Sequence, residues 1–237
     1  MRRISALLNL ITSTIVLSLI AVFLSPFDRK GKIINRLGRL WAILHLSICN
    51  IKVRTEGVEN IIEGPCIYMC NHQSVLDIFA IYVSLNVPFK WIAKKELFSI
   101  PFLGWALKAG RHIEMDRKNP LKAIKSLKKA LINLKDDINI VMFPEGTWGK
   151  GEKLLPFKKG GFDLALKGGV PIIPVGIIGT RTLQPEGYNV PIKKGTIDVN
   201  IGRPIYNSKG SMIEIHSLMD SVKKELEILV YGNGIGH

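Results

Sequence analysis

His72 and Asp77 stand five positions apart in the run Asn71-His72-Gln73-Ser74-Val75-Leu76-Asp77, directly after the apolar residues Ile67, Tyr68 and Met69. A histidine that takes a proton from a weak nucleophile needs a carboxylate to fix its tautomer and stabilise the imidazolium. On one continuous α-helix five residues rotate by roughly 500°, about 140° away from a common face. The pair can therefore form only if the chain turns between its members. A strand ending near Cys70, a loop carrying His72 and a helix starting near Ser74 would supply that turn. Ser74 suits the N-cap, and Asp77 then falls in the first helical turn, where the dipole favours a carboxylate. The same residues also admit a plainer reading, in which Asp77 stabilises a helix start and His72 is an ordinary loop histidine. Strand alternation makes Cys70 a core residue rather than a nucleophile partnered by His72.

Three more clusters follow. Gly110 to Arg117 places an arginine after a short extended run, where its guanidinium could bind a phosphate bidentately or simply pair with Asp116. Val141 to Trp148 runs an apolar strand into a Pro-Glu-Gly turn, and ligands approach α/β sheets at such strand ends. Glu145 there could accept hydrogen bonds from a polyol or tie the turn together. Val170 to Val175 carries two prolines that stiffen an apolar wall. No phosphate-loop, metalloprotease-helix or nucleophile-elbow serine motif occurs.

The elements that must hold these residues read as an α/β domain from about residue 52. Apolar runs at Cys66–Cys70, Lys90–Ala93, Ile138–Phe143 and Pro171–Ile178 predict buried strands, and the alternating Thr196–Ile201 a strand near an edge. Leu121, Ile124, Leu127, Leu131 and Leu134 step at helical spacing, with lysines largely opposite and Asn119-Pro120 as the start. Ser211 and Glu214 form a capping box for a helix to about Val230, and a frayed tail is expected over Gly232 to Gly236.

Ahead of that domain, residues Ile4 to Leu24 carry no charge, and the 21-residue run would make a helix roughly 31 Å long, close to a hydrocarbon core of about 30 Å. Pro26 ends it. A signal peptide would have a shorter apolar core and a small-x-small cleavage site, which is not evident here. After a basic stretch, Leu40 to Ile51 is apolar but too short to span. The two segments predict either a hairpin dipping into one leaflet or a single span followed by an interfacial helix. Residues 1–51 thus read as membrane-anchoring helices and 52–237 as the catalytic-size domain, on the cytoplasmic face by the positive-inside rule. Lys and Arg number 33 against 19 Asp and Glu, a formal charge of +14. That excess calls for an anionic partner. No nucleic-acid-binding signature is present, so a phospholipid surface is the partner expected. Cys49, Cys66 and Cys70 lack metal-ligand spacing and read as buried thiols of a reducing compartment.

In this order the four clusters resemble the glycerolipid acyltransferase family, specifically its 1-acylglycerol-3-phosphate O-acyltransferases, over roughly residues 52 to 205. The resemblance implies a mixed central sheet flanked by helices, with His72 as general base and Asp77 as its partner. The base would act on the sn-2 hydroxyl of lysophosphatidic acid, which attacks an acyl thioester of coenzyme A or acyl carrier protein to make phosphatidic acid. Arg117, helped by Lys94 or Lys95, would hold the acceptor phosphate, and Glu145, Gly146 and Thr147 the glycerol. Backbone amides near the first motif would meet the oxyanion. Neither a metal nor a cofactor beyond the thioester substrate is implied. The chain departs from the family in carrying Trp148 where arginine usually follows Glu-Gly-Thr. An indole has one N–H and no charge, so another lyso-lipid acceptor is the alternative expectation. A non-catalytic lipid-binding protein is the alternative of a different class.

Overall fold

The computed structural model describes residues 2–28, 30–149, 153–184, 193–206 and 212–232, with backbone only at 2–3 and 212–214. Helix α1 (Arg2–Leu24) is closed by a single 3-10 turn, Ser25–Phe27, with Pro26 inside it. Helix α2 (Lys32–Cys49) follows and starts well before the apolar stretch expected to form it. Its basic residues Lys32, Arg36 and Arg39 lie within the helix, while Ile34, Ala42, His45, Leu46 and Cys49 turn inward. A left-handed Asn50 (φ 51°) stops it, so that Ile51 opens strand β1 (Ile51–Glu56) instead of ending a helix. Helix α2 thus feeds directly into the sheet.

The remaining elements are β2 (Ile67–Cys70), α3 (Leu76–Ser84), β3 (Phe89–Lys94), α4 (Leu103–Ala109), β4 (Ile113–Met115), α5 (Pro120–Lys135), β5 (Asn139–Met142), α6 (Gly160–Gly168), β6 (Ile172–Ile178), a one-turn α7 (Thr180–Leu183), β7 (Gly195–Ile201) and α8 (Met212–Tyr231). The strands form one sheet in the order β1-β7-β6-β2-β5-β3-β4. The β6–β7 pairing is antiparallel and the others are parallel, so the sheet is mixed as the resemblance implies. β7 lies one strand in from the edge, covered by β1.

Period-two alternation sorts the core into two layers. Tyr68 and Cys70 of β2 join Val141, Ile173 and Val175 against α2 and α3. Ile67 and Met69 of the same strand face α5, α6 and α8 on the other side. All three cysteines are buried thiols. In α5 the Asn119 side chain accepts from the Lys122 amide at 3.1 Å, the N-cap its sequence suggests. The buried stripe of α5 is narrower than the leucine spacing implies. Ala130 and Leu134 are buried, but Leu121 is 79% exposed and Ile132 59%. At about 100° per residue those two lie roughly 120–140° from Leu127, off the face that meets the sheet. The capping box at Ser211 and Glu214 and the tail beyond Gly232 lie outside the described residues and side chains.

A buried polar cluster fastens the turn between α1 and α2 to the sheet. Lys90 Nζ donates to the Gly110 carbonyl at 2.6 Å, Asn35 Nδ2 to the Phe89 carbonyl at 3.2 Å, and the Ile34 amide to Asp28 Oδ2 at 2.8 Å. His112 Nδ1 accepts the Trp91 amide proton at 3.0 Å, a bond that only an unprotonated Nδ1 can make. Burial, and then the nearby Lys90 charge, lower the His112 pKa to about 3. The unfolded chain therefore takes up this proton below pH 6.5 and the folded chain does not until about pH 3, so stability falls across that window as pH drops. His112→Gln keeps an acceptor for the Trp91 amide but cannot titrate. Between pH 7.5 and pH 5 (about one and a half units below His112's ordinary pKa) the parent should lose more melting temperature than the variant. Equal losses would assign the acid sensitivity to other groups.

Candidate active site

The loop from β2 to α3 carries the imidazole, and three separate fastenings hold it. Asn71 reads both polar groups of Ile177 on β6, donating to its carbonyl at 2.9 Å and accepting its amide proton at 2.7 Å. The His72 amide donates to Glu145 Oε1 at 2.9 Å, and the His72 carbonyl accepts from the Gly149 amide at 2.7 Å. Asp77, wholly buried in the first turn of α3, presents Oδ2 to His72 Nδ1 at 2.8 Å and to the amides of Gln73 and Ser74 at 2.7 and 2.9 Å. One carboxylate oxygen therefore shapes the loop and orients the ring. With Nδ1–H committed to Asp77, Nε2 is the basic nitrogen.

Two details differ from the sequence expectation. The helix opens at Leu76, with Val75 at the cap position. Ser74 Oγ instead donates to the Gln184 carbonyl at 3.0 Å and accepts only weakly from the Leu76 amide at 3.3 Å. The Asp77 carboxylate reaches back instead to the amides of Gln73 and Ser74, ahead of the helix. Further, the amides of His72, Gln73 and Ser74 are all engaged by Glu145 and Asp77, so the nearest backbone donors are unavailable to an oxyanion.

Aromatic rings enclose the imidazole. Phe143, at the end of β5, stacks on it with ring centroids 3.7 Å apart and an interplanar angle of 7°. Trp148 meets it edge-on at 5.8 Å and 85°, placing the residue that departs from the resembled motif against the imidazole itself. Trp91 in turn stacks on Phe143 at 5.5 Å, linking the ring stack to the strand that holds the buried Lys90 cluster.

Glu145 is turned inward. Its Oε1 takes the His72 amide and its Oε2 the Leu155 amide at 2.9 Å, and only 3% of the residue is exposed. Burial raises its pKa, an effect the two amide bonds oppose. Gly146 follows with a left-handed φ of 74°, which lets the chain turn sharply out of the strand. Thr147 is exposed. Arg117, exposed beside this turn, donates through Nη1 to the Gly146 carbonyl, which brings the second and third sequence clusters together. The two lysines are less available: Lys95 pairs with Asp116 at 2.7 Å and Lys94 with Glu96 at 3.7 Å. Among the described residues no group of three or more His, Cys, Asp or Glu side chains could hold a metal ion. Asn71, Phe143, Gly149 and Leu155 complete the site without having been expected from the sequence. Their contributions are a backbone-reading amide, a ring face and backbone amides, and only the place of Asn71 at the head of the histidine motif and of Phe143 at a strand end offered a signal.

A family model described as Acyltransferase matches residues 52–178, the span that holds every cluster above. The chain is 36% identical over 194 residues to a chloroplastic 1-acyl-sn-glycerol-3-phosphate acyltransferase of Brassica napus, covering 81% of this chain and 56% of that one. A Saccharomyces cerevisiae protein of the same name is 36% identical over 179 residues, 74% of this chain and 59% of its own length. The chain thus spans between half and two thirds of these relatives. The crystal structure of a Thermotoga maritima 1-acyl-sn-glycerophosphate (LPA) acyltransferase, PlsC, superposes with a TM-score of 0.74 at 28% identity, covering 97% of this chain and 98% of that one.

Proposed function

The chain belongs to the acyltransferase family, and on that premise we propose that it moves an acyl chain from a thioester to the sn-2 hydroxyl of 1-acylglycerol-3-phosphate, yielding phosphatidic acid. The observation that carries the reading is the His72–Asp77 pair, 2.8 Å apart in a loop braced on three sides. His72 Nε2 takes the hydroxyl proton as the acceptor oxygen attacks the thioester carbonyl. The imidazolium is stabilised by Asp77 and by the Phe143 face. Collapse of the tetrahedral intermediate breaks the C–S bond, and the proton held by His72 passes to the departing thiolate. Coenzyme A or acyl carrier protein is the thiol, and no further cofactor enters. Glu145 holds the His72 backbone in place, and Arg117 at the Gly146 turn meets the acceptor phosphate.

The acceptor is a membrane lipid, and α1 supplies the means of reaching it. Residues Ile4–Phe27 have a mean hydropathy of 2.4 and are mostly unburied, with Leu7, Ile11, Val16 and Phe23 outward. On this reading the apolar helix anchors the protein at a bilayer, and the basic residues that follow it keep the sheet domain on the cytoplasmic side. Trp148 favours a second reading of acceptor choice, a lyso-lipid with a less charged head, because the indole touches the base and brings no charge. Simple lipid binding does not call for a braced base.

Membranes holding the protein, supplied with labelled acyl thioester and a panel of lyso-lipids, test both readings. Preferred acylation of lysophosphatidate supports the proposal, and preferred acylation of an uncharged or phosphodiester lyso-lipid replaces it. Arg117→Ala should raise the KM for lysophosphatidate about ten- to a hundredfold, with far less effect on the thioester's KM. An unchanged acceptor KM in a stable variant would remove the phosphate role from Arg117.

A further inference from the structure

We propose that Lys158 is the second cation of the acceptor-phosphate site, closing with Arg117 around the head group at Gly146; the inference rests on the acceptor reading given above. A phosphomonoester carries close to two negative charges near neutral pH, its second pKa being about 6. Arg117 supplies one positive charge. The lysines suggested by the sequence are engaged with carboxylates, Lys95 with Asp116 and Lys94 with Glu96. Trp148 supplies none. A second cation must come from elsewhere, and the Gly146 turn shows which.

Lys158 lies against that glycine. Its Cγ and Cε are 3.5 and 4.0 Å from the point where a Cβ on Gly146 would sit, so the aliphatic stem runs along the face that the missing side chain leaves open. The stem departs from a fixed point. The Lys158 amide donates to the Pro144 carbonyl at 2.8 Å, and the preceding Phe157 is buried against Phe162. Pro144 is the residue before Glu145, whose carboxylate holds the His72 amide, so lysine and base are positioned by adjacent residues of one turn. Lys158 is exposed, and among the described residues it has no carboxylate partner within ion-pair distance. The guanidinium of Arg117 arrives at the same turn through its bond to the Gly146 carbonyl and retains four further N–H donors. Two cations held by one turn beside the base give a monoester dianion a matched seat, and they do so without an arginine at position 148.

The test uses the full chain in lipid-detergent micelles, with lysophosphatidate and 1-monoacylglycerol as acceptors, the second lacking the phosphate. Lys158→Met keeps the stem and removes the charge. It should raise the KM for lysophosphatidate about ten- to a hundredfold while kcat and the thioester KM stay within about twofold. The preference for lysophosphatidate over monoacylglycerol should shrink by the same factor, and Lys158→Arg should restore most of it. A purely structural lysine would instead lower the melting temperature and affect both acceptors alike, which would overturn the proposal. Should the methionine variant fail to fold, Lys158→Gln serves the same comparison. A parent active on lysophosphatidate whose uncharged variant keeps its acceptor KM removes this inference alone. A parent inert on lysophosphatidate removes the acceptor reading and this inference with it.

Discussion

His72→Ala should fold, melt near the parent temperature and turn over about 10² to 10⁴ times more slowly, the usual cost of losing a general base. The side chain is small in the energetic balance of the loop, because the loop is held through the His72 backbone and through Asp77. Lyso-lipid binding should persist, since the groups proposed to hold the head lie on the Gly146 turn. Asp77→Asn probes the same pair from the other side. An asparagine oxygen can accept a proton from one or two donors but has no charge to stabilise an imidazolium, and its NH2 group can select the wrong tautomer. In an analogous triad the corresponding change costs about 10⁴ in kcat. Asp77→Asn should also lower stability, because two backbone amides share the oxygen that faces His72. Single-turnover acyl transfer, measured beside melting temperature, separates the two variants. A folded His72→Ala protein with parental turnover would end the base assignment.

Glu145→Gln should lower melting temperature and kcat together while leaving the acceptor KM nearly unchanged. Each oxygen of the Glu145 carboxylate accepts one backbone proton, from His72 and from Leu155. A glutamine has one oxygen, so one buried amide faces an NH2 group, at a cost of about 1–3 kcal/mol. If the His72 amide is the one displaced, the base shifts with it, and a displacement of about 1 Å is enough to lose roughly 10² in rate. Direct contact of Glu145 with the glycerol predicts the reverse pattern, a raised acceptor KM at unchanged stability. The kinetic split therefore decides between a residue that holds the base and one that holds the substrate.

The two roles of Glu145 could not be separated in the sequence, where a carboxylate after Phe-Pro reads equally as ligand or brace. Its partners are backbone amides, which every residue carries and no motif marks. The same holds for the loop around His72. That the ring meets Asp77 was legible only through the family resemblance, because the five-residue spacing requires a turn between the two but equally admits a helix-start carboxylate beside an ordinary loop histidine. That Asp77 also serves the amides of Gln73 and Ser74 depends on where the loop settles once Asn71 has seized Ile177. Strands with continuous apolar runs were legible for the reason that both of their faces are buried. β1 was not, since Lys52, Arg54 and Glu56 alternate with half-buried residues at an edge, and its first residue continues the apolar run of α2. Helix α2 was read too short because its basic turns hid a buried stripe that begins at Ile34. The Lys95–Asp116 pair was not legible for a different reason, as Asp116 follows β4, which comes beside β3 only in the folded sheet.

The place of β1 bears on how the protein is made. Its first residue pairs in parallel with Gly195, 144 residues later (195 − 51), and no earlier strand lies beside it. At a synthesis rate of about 5–20 residues per second, roughly 7–30 s separate the emergence of the two partners. The apolar helix ahead of β1 can settle into lipid throughout that interval, while the strand waits with both hydrogen-bonding edges unpaired. Lys52, Arg54 and Glu56, exposed in the finished sheet, are the kind of charges that discourage such a strand from pairing with a neighbouring chain. Seen along the ribosome's clock, the charged border of the sheet would guard the nascent chain first and the folded protein afterwards.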